Sequence, residues 1–288
     1  MQVWNRKELI EVPEVGLGAI RFVYDTAFGR ILAKTILCRK FVSSFYGAWQ
    51  KSRFSRGKTA KFIRQYEIDL SDCTAQEFPN FNAFFTRRRR VYVDQTGAGE
   101  LPAIADSKLL ALPIDGEQIF YIKGVPYTVE ELLEDRTLAK EYEGGLCLIF
   151  RLAPDDYHRY VFPDAAVPEA PVQIKGVLHT VNPIAAEMKV YRRNTRCYQL
   201  LHTATFGDVI QMEVGALLVG KIRNDSHAGH SVEKLQEKGY FEYGGSTVIL
   251  LLKRDAVQMD GDILEYSAQG IETKVRIGEK IGAVSRSV

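Results

Sequence analysis

The chain has 288 residues, 46% of them hydrophobic and 26% charged, with a net charge of +2. That composition excludes a disordered or collagen-like chain and supports one large domain or two ordinary ones. Four scattered cysteines without a C-x-x-C pair exclude a disulfide framework or a zinc site and fit a reducing compartment. Met1 to Gly16 has neither the basic head nor the apolar core of a secretory signal, and no stretch approaches the roughly 18 apolar residues of a spanning helix.

The charge is unevenly placed. Ile20 to Arg64 holds 11 Lys and Arg residues against one acid, Asp25, and the remainder of the chain is mildly acidic. An anionic neighbour for the first part follows. Within it, Ile20, Val23, Tyr24, Ala27, Phe28, Ile31 and Leu32 recur at helical spacing while Arg21, Arg30 and Lys34 lie mostly off that stripe. Such a helix packs on its own core or lies in a membrane interface. The basic bias, with Phe45, Tyr46 and Trp49 nearby, gives the interface reading its weight. No nucleic-acid-binding motif is present, so nucleic acid is not expected as a partner.

Next comes "SDCTAQEFPNFNAFFTRRRRV", where Ser71 is a candidate helix cap and Phe78, Phe81, Phe84 and Phe85 form an aromatic cluster. A run such as Arg87 to Arg90 is usually a solvated patch; anion binding is the other reading. Beyond residue 100 the texture turns to short strands: "GGLCLIFRLA", "APVQIKGVLHTV", "DVIQMEVGALLVGKI" and "GSTVILLLK", separated by Gly and Pro turn signals. "VEELLEDRTLAKEYEG" predicts the one helical interruption. The pattern is α+β: a helical, basic N-terminal part over residues 1–85, then a β-rich catalytic domain over 86–288.

Five histidines are available for chemistry. His227 and His230 in "NDSHAGHS" lack a further ligand nearby and read as a polar loop. His202 has no evident partner. His158 in "RLAPDDYHRYVFP" and His179 in "KGVLHTVNP" each sit where a strand meets a bend, a place for working side chains. "GGST", Gly244 to Thr247, is unusual because a linker-like tetrapeptide opens directly into the apolar run "VILLL". A serine after glycine at a strained strand entrance can attack the preceding carbonyl, provided a base takes its proton and a carboxylate holds the base. The resulting ester, after elimination and hydrolysis, leaves a pyruvoyl ketone able to form a Schiff base with an amine.

Six blocks in order carry a resemblance over nearly the whole chain. "FNAFFTR", "IADSKLLALPIDGEQIFYIKGVPYTVEELL", "RLAPDDYHRYVFP", "HTVNP", "VGALLVGKI" and "EKGYFEYGGSTVILLL" together resemble the phosphatidylserine decarboxylase proenzymes. The resemblance implies a catalytic set of an Asp, a His and a self-cleaving Ser. Ser246 matches the Ser, with cleavage between Gly245 and Ser246 into a β chain (1–245) and an α chain (246–288). Asp106 in "IADS" matches the Asp better than Asp115 in "PIDG", which lies too close to Gly124. His158 matches the His. Many members carry a second histidine three positions later; here Val161 stands there. His158 alone, or His179 as a replacement base, fills the gap, or maturation is lost.

The resemblance further implies a covalent pyruvoyl group made from Ser246, with no metal and no pyridoxal phosphate. It implies phosphatidylserine in a membrane as substrate, phosphatidylethanolamine and CO2 as products, and peripheral association with the cytoplasmic side of the cell membrane. Its cleaved chains stay partners, and a homodimer is left open. Two other readings share these residues: a pyruvoyl decarboxylase of a soluble amino acid, and an unprocessed lipid-surface binding pseudoenzyme made inert by Val161.

Overall fold

The computed structural model describes residues 1–12, 26, 47–122, 125–176, 194–215, 221–225, 227–242 and 246–285. Apart from Thr26, the amphipathic stretch 20–36 lies outside the described residues, as do His179, Gly244 and Gly245.

The described chain opens with two short strands, β1 (Gln2–Trp4) and β2 (Leu9–Glu11), followed by helices α1 (Arg56–Gln65) and α2 (Phe81–Phe85). Then β3 (Glu100–Pro102), β4 (Ser107–Pro113), β5 (Ile119–Ile122) and β6 (Val125–Thr128) lead into α3 (Val129–Leu133) and α4 (Arg136–Lys140). The strands β7 (Leu146–Leu152), β8 (Arg159–Val161), β9 (Ala166–Pro168) and β10 (Val172–Ile174) come next. They are followed by β11 (Arg196–Thr203), β12 (Asp208–Val214), β13 (Ile222–Asn224), β14 (Glu237–Phe241) and β15 (Ser246–Leu252). The tail holds β16 (Val257–Met259), α5 (Gly261–Ala268), β17 (Glu272–Val275) and β18 (Lys280–Val284).

The large sheet runs β10-β11-β12-β15-β7-β4-β17-β1-β2, with β9 also on β11. Its centre is antiparallel, β15 pairing with β7 on one side and β12 on the other. The run "STVILLL" is buried at every position because both faces of this strand are covered. An antiparallel strand with one wet face would alternate instead. On one face the small sheet β13-β14-β8 docks, seen where Gln211 Nε2 donates to the Val161 carbonyl at 3.2 Å. On the other face Arg196 Nε donates to the Leu132 carbonyl of α3 at 2.7 Å.

Three sequence expectations change. The first residues are strands: β1 joins the large sheet in parallel with β17, so the β body begins at the N-terminus and not after residue 85. Three-residue strands are too short to show a period. The predicted single helix over "VEELLEDRTLAKEYEG" is two, because Glu134 turns left-handed at φ 53° and Asp135 then caps α4 through the Thr137 and Leu138 amides. Ser71 caps no helix: its hydroxyl donates to Asp69 in a turn, and Asn80 caps α2, accepting from the Ala83 amide at 2.8 Å.

Candidate active site

One end of the large sheet collects the residues singled out by sequence. Ser246 is the first residue of β15 and pairs with Leu152, the last of β7. Asp106 immediately precedes β4, whose first turn pairs with that same end of β7 through Lys108 and Arg151. β4 and β15 flank β7, so Asp106 and Ser246 are two strand spacings apart, about 10 Å. Asp115 follows β4 and belongs to the opposite end, where its carboxylate accepts from the Glu117 and Ile119 amides in a tight turn.

His158 stands between β7 and β8. Two backbone hydrogen bonds knit its segment to both neighbours. The Phe241 amide donates to the His158 carbonyl at 3.0 Å, five residues before Ser246, and the Val161 amide donates to the Ile104 carbonyl at 3.1 Å, two residues before Asp106. Val161 is fully buried core. An apolar side chain therefore fills the place where the resemblance expects a second histidine.

The His158 ring is fully buried and lies against Phe85 of α2, with ring centroids 3.8 Å apart. Its Nδ1 is 3.0 Å from the Asp156 carbonyl oxygen. A carbonyl only accepts, so Nδ1 carries the hydrogen and the neutral ring keeps its lone pair on Nε2, the atom a base would use. The Asp156 carboxylate is itself held by Lys108 Nζ at 2.7 Å and by the Ala153 amide. Burial pushes the Asp156 carboxyl up, and Lys108 opposes that. The Ser246 hydroxyl is buried and has no hydrogen-bond partner among the described residues, a state it shares with the hydroxyls of Thr59, Thr247 and Thr273.

The solvated-patch reading of the arginine run holds for Arg88 and Arg90, which are exposed, and fails for Arg87 and Arg89. Arg87 is buried, stacked over Phe84 with its charged carbon 4.9 Å from the ring centroid. Arg88 reaches Glu237 at 3.3 Å, and Arg89 grips both oxygens of Asp106 at 3.0 and 2.5 Å. Arg159 donates to the Thr86 and Arg87 carbonyls and to Glu237. Residues 86–89 thus form a strap across the site end. Composition alone does not show this, because the partners lie 17 to 149 residues away.

A second polar group was missed altogether. Glu213 and Lys238 form a fully buried pair, Nζ to Oε1 at 2.5 Å, with Asn224 donating to the same carboxylate and Tyr160 donating to Asn224 at 2.6 Å. Burial pushes the Glu213 carboxyl up and pushes the neighbouring Cys197 thiol up to about 11. Glu213 lies opposite Val248, two residues into β15, so it shares Ser246's face of the sheet. The signal was there: a charged residue inside the apolar run "VIQMEVGALL" needs a partner.

Of the other described histidines, His202, His227 and His230, none adjoins Ser246 in the sheet. His202 joins Asp208 at 2.8 Å and Glu169 at 3.1 Å, a half-exposed arrangement at the opposite end of β11 and β12. His227 and His230 lie in the loop before β14, where His230 Nδ1 meets the Ala228 carbonyl. Among the described residues, no group of three or more His, Cys, Asp or Glu side chains is arranged to hold a metal, and no helix is long and apolar enough to cross a membrane.

Fold and site define an α+β protein with a buried serine, an imidazole and a carboxylate gathered at one end of an antiparallel sheet. The family model described as phosphatidylserine decarboxylase matches residues 81–283. A relative named phosphatidylserine decarboxylase proenzyme 2, from Clostridium acetobutylicum, is 44% identical over 97% of both chains. Phosphatidylserine decarboxylase proenzymes of Clostridium novyi and Ruminiclostridium cellulolyticum are each 38% identical, over 98% of this chain and 99% and 97% of theirs. The chain belongs to the phosphatidylserine decarboxylase family, a family of enzymes that remove CO2.

Proposed function

We propose that this chain is a phosphatidylserine decarboxylase that generates its own pyruvoyl group by cutting itself between Gly245 and Ser246, then converts phosphatidylserine to phosphatidylethanolamine and CO2. Ser246 carries the reading. Its hydroxyl is buried without a hydrogen-bond partner among the described residues, at the entrance of a central strand that follows a Gly-Gly pair. A hydroxyl in that position is poorly stabilised as a bystander and well placed as a nucleophile or its product.

In maturation, Ser246 Oγ bonds to the Gly245 carbonyl carbon while His158 Nε2 takes the hydroxyl proton. The Gly245–Ser246 C–N bond breaks, the nitrogen takes a proton, and an ester remains. Removal of the Ser246 Cα hydrogen expels the Gly245 carboxylate, freeing the β chain (1–245). Water then enters and ammonia leaves the terminus of the α chain (246–288). The pyruvoyl group so formed supplies a ketone that takes up the substrate amine and draws electrons from the carboxyl bond. Asp106 supplies the negative charge near the imidazole, and His158 holds or returns the proton at the reacting carbon. His179, outside the described residues, is the alternative candidate for the base, and mutation separates the two.

The substrate is a lipid, so the protein works as a peripheral protein at the cytoplasmic face of the cell membrane. The chain around the start of α1 supplies the contact. Phe54 is 89% exposed beside exposed Lys51, Arg53 and Arg56, with Trp49 partly exposed nearby. Aromatic and basic residues together suit an anionic lipid surface.

Denaturing electrophoresis of the purified protein, followed by assay on phosphatidylserine vesicles against free serine or aspartate, tests the proposal. Two fragments and turnover on vesicles are expected. Turnover of the free amino acid alone would move the substrate; a single uncut, inactive species would favour the pseudoenzyme.

A further inference from the structure

Arg89 comes from the arginine run to which the reaction above gives no role, yet its side chain meets Asp106, Asp72 and Tyr157 at the site end. Its NH1 and NH2 meet Oδ1 and Oδ2 of Asp106 at 3.0 and 2.5 Å, and its Nε meets Asp72 at 2.7 Å. Its charged carbon sits 4.4 Å from the Tyr157 ring centroid, and its amide donates to the Tyr157 hydroxyl at 3.0 Å. The guanidinium is therefore held by three groups, Asp106, Asp72 and the Tyr157 ring, and the backbone behind it by the Tyr157 hydroxyl. Lysine could not reproduce this, since only a planar fork meets both oxygens of a carboxylate at once.

The Ile277 amide also donates to Asp106 Oδ1, at 2.9 Å. A carboxylate has about four acceptor positions. With three of them occupied, the remaining one is on Oδ2, and its direction is fixed by the plane of the fork. Tyr157, on which the fork rests, is the residue before His158. Arg87, two residues before Arg89, points its NH2 at the Asp156 carbonyl that also faces His158 Nδ1. The carboxylate and the imidazole segment thus share one support.

We propose that Arg89 is a positioning residue for self-cleavage: it sets the Asp106 carboxylate so that a single acceptor position is presented toward the imidazole segment. This rests on the role given to Asp106 above. The strap is a part of the maturation machinery and not only a tie between the N-terminal region and the sheet.

The test follows cleavage of pulse-labelled chain made by cell-free synthesis, for wild type, Arg89→Met, Arg89→Lys and Asp106→Asn. Arg89→Met should cleave about 10- to 100-fold more slowly, the scale of a misplaced catalytic group. Low millimolar guanidinium should restore much of the Arg89→Met rate, with Arg89→Lys in between. Melting of Ser246→Ala carrying Arg89→Met supplies the folding control, and a cooperative transition close to that of Ser246→Ala is expected. Wild-type cleavage by Arg89→Met, with Asp106→Asn slow, would overturn the inference and leave Asp106 in place. Wild-type cleavage by Asp106→Asn would remove Asp106, and the inference with it. Slow cleavage that neither lysine nor guanidinium improves, in a protein that melts early, would reduce Arg89 to a structural tie.

Discussion

The two ends of the large sheet each hold a histidine in contact with an acidic residue, through side chains at one end and a backbone carbonyl at the other. At the far end His202 lies half exposed between Asp208 and Glu169, with Lys253 also on Asp208. At the site end His158 is fully buried, faces a backbone carbonyl and packs on an aromatic ring. Hydrogen bonds from Asp208 and then Glu169 raise the His202 pKa, so that ring holds a proton more tightly than a free imidazole. His158 has its ring hydrogen directed to a carbonyl, which leaves Nε2 as an acceptor. The same residue type sits in a surface ion cluster in one place and in a buried pocket with a carbonyl partner in the other.

Mutation can break this contrast, the largest effects lying at the site end. His158→Ala should slow self-cleavage by about 10²–10⁴-fold, the usual worth of a positioned base. Time courses of the uncut band measure it, and unchanged cleavage there with loss in His179→Ala would transfer the role. Lys238→Met should destabilise the fold by about 3–5 kcal/mol because it strands a buried carboxylate on Glu213. Denaturant unfolding of chains also bearing Ser246→Ala reads this, and Lys238→Met with Glu213→Gln should recover part of the loss. Phe54→Ser should leave cleavage intact while weakening binding to anionic vesicles in a flotation assay, by several-fold for one interfacial aromatic.

At the far end the effects should be small. His202→Ala should change stability by no more than about 1 kcal/mol, since exposed ion pairs contribute little. The pH dependence carries the sign. A raised folded pKa means the contribution is fully present below the unfolded value of about 6.5 and fades as pH rises through the folded value. Asp208 is lowered, first by His202 and then by Lys253, so its share is present above its unfolded value and fades as pH falls through the folded one. Unfolding curves at pH 5.5 and 8.5 for wild type and His202→Ala should therefore differ more at the lower pH.

Much of this architecture could be read in the chain. "VILLL" announced a strand covered on both faces, and β7, β12 and β15 fall within the apolar runs that predicted them. Asp106 and Asp115, between which spacing chose, lie at opposite ends of β4. Long-range charge pairing was hidden. Arg87 to Arg89 looked like a solvent-facing run because Asp106, Asp156 and Glu237 are remote in sequence, and their proximity depends on sheet register. The Glu213–Lys238 pair was hidden for the same reason, although the glutamate interrupting an apolar strand was a readable sign. His202 gained its partners through the pairing of β11 with β12 and of β11 with β9, which no local pattern encodes.

The most direct measurement is the intact mass of the purified protein under denaturing conditions, taken before and after treatment with hydroxylamine. The account predicts two polypeptides, residues 1–245 and a fragment starting at position 246, only the smaller of which gains mass by oxime formation. One full-length species that persists on incubation, or two fragments neither of which reacts, would contradict it.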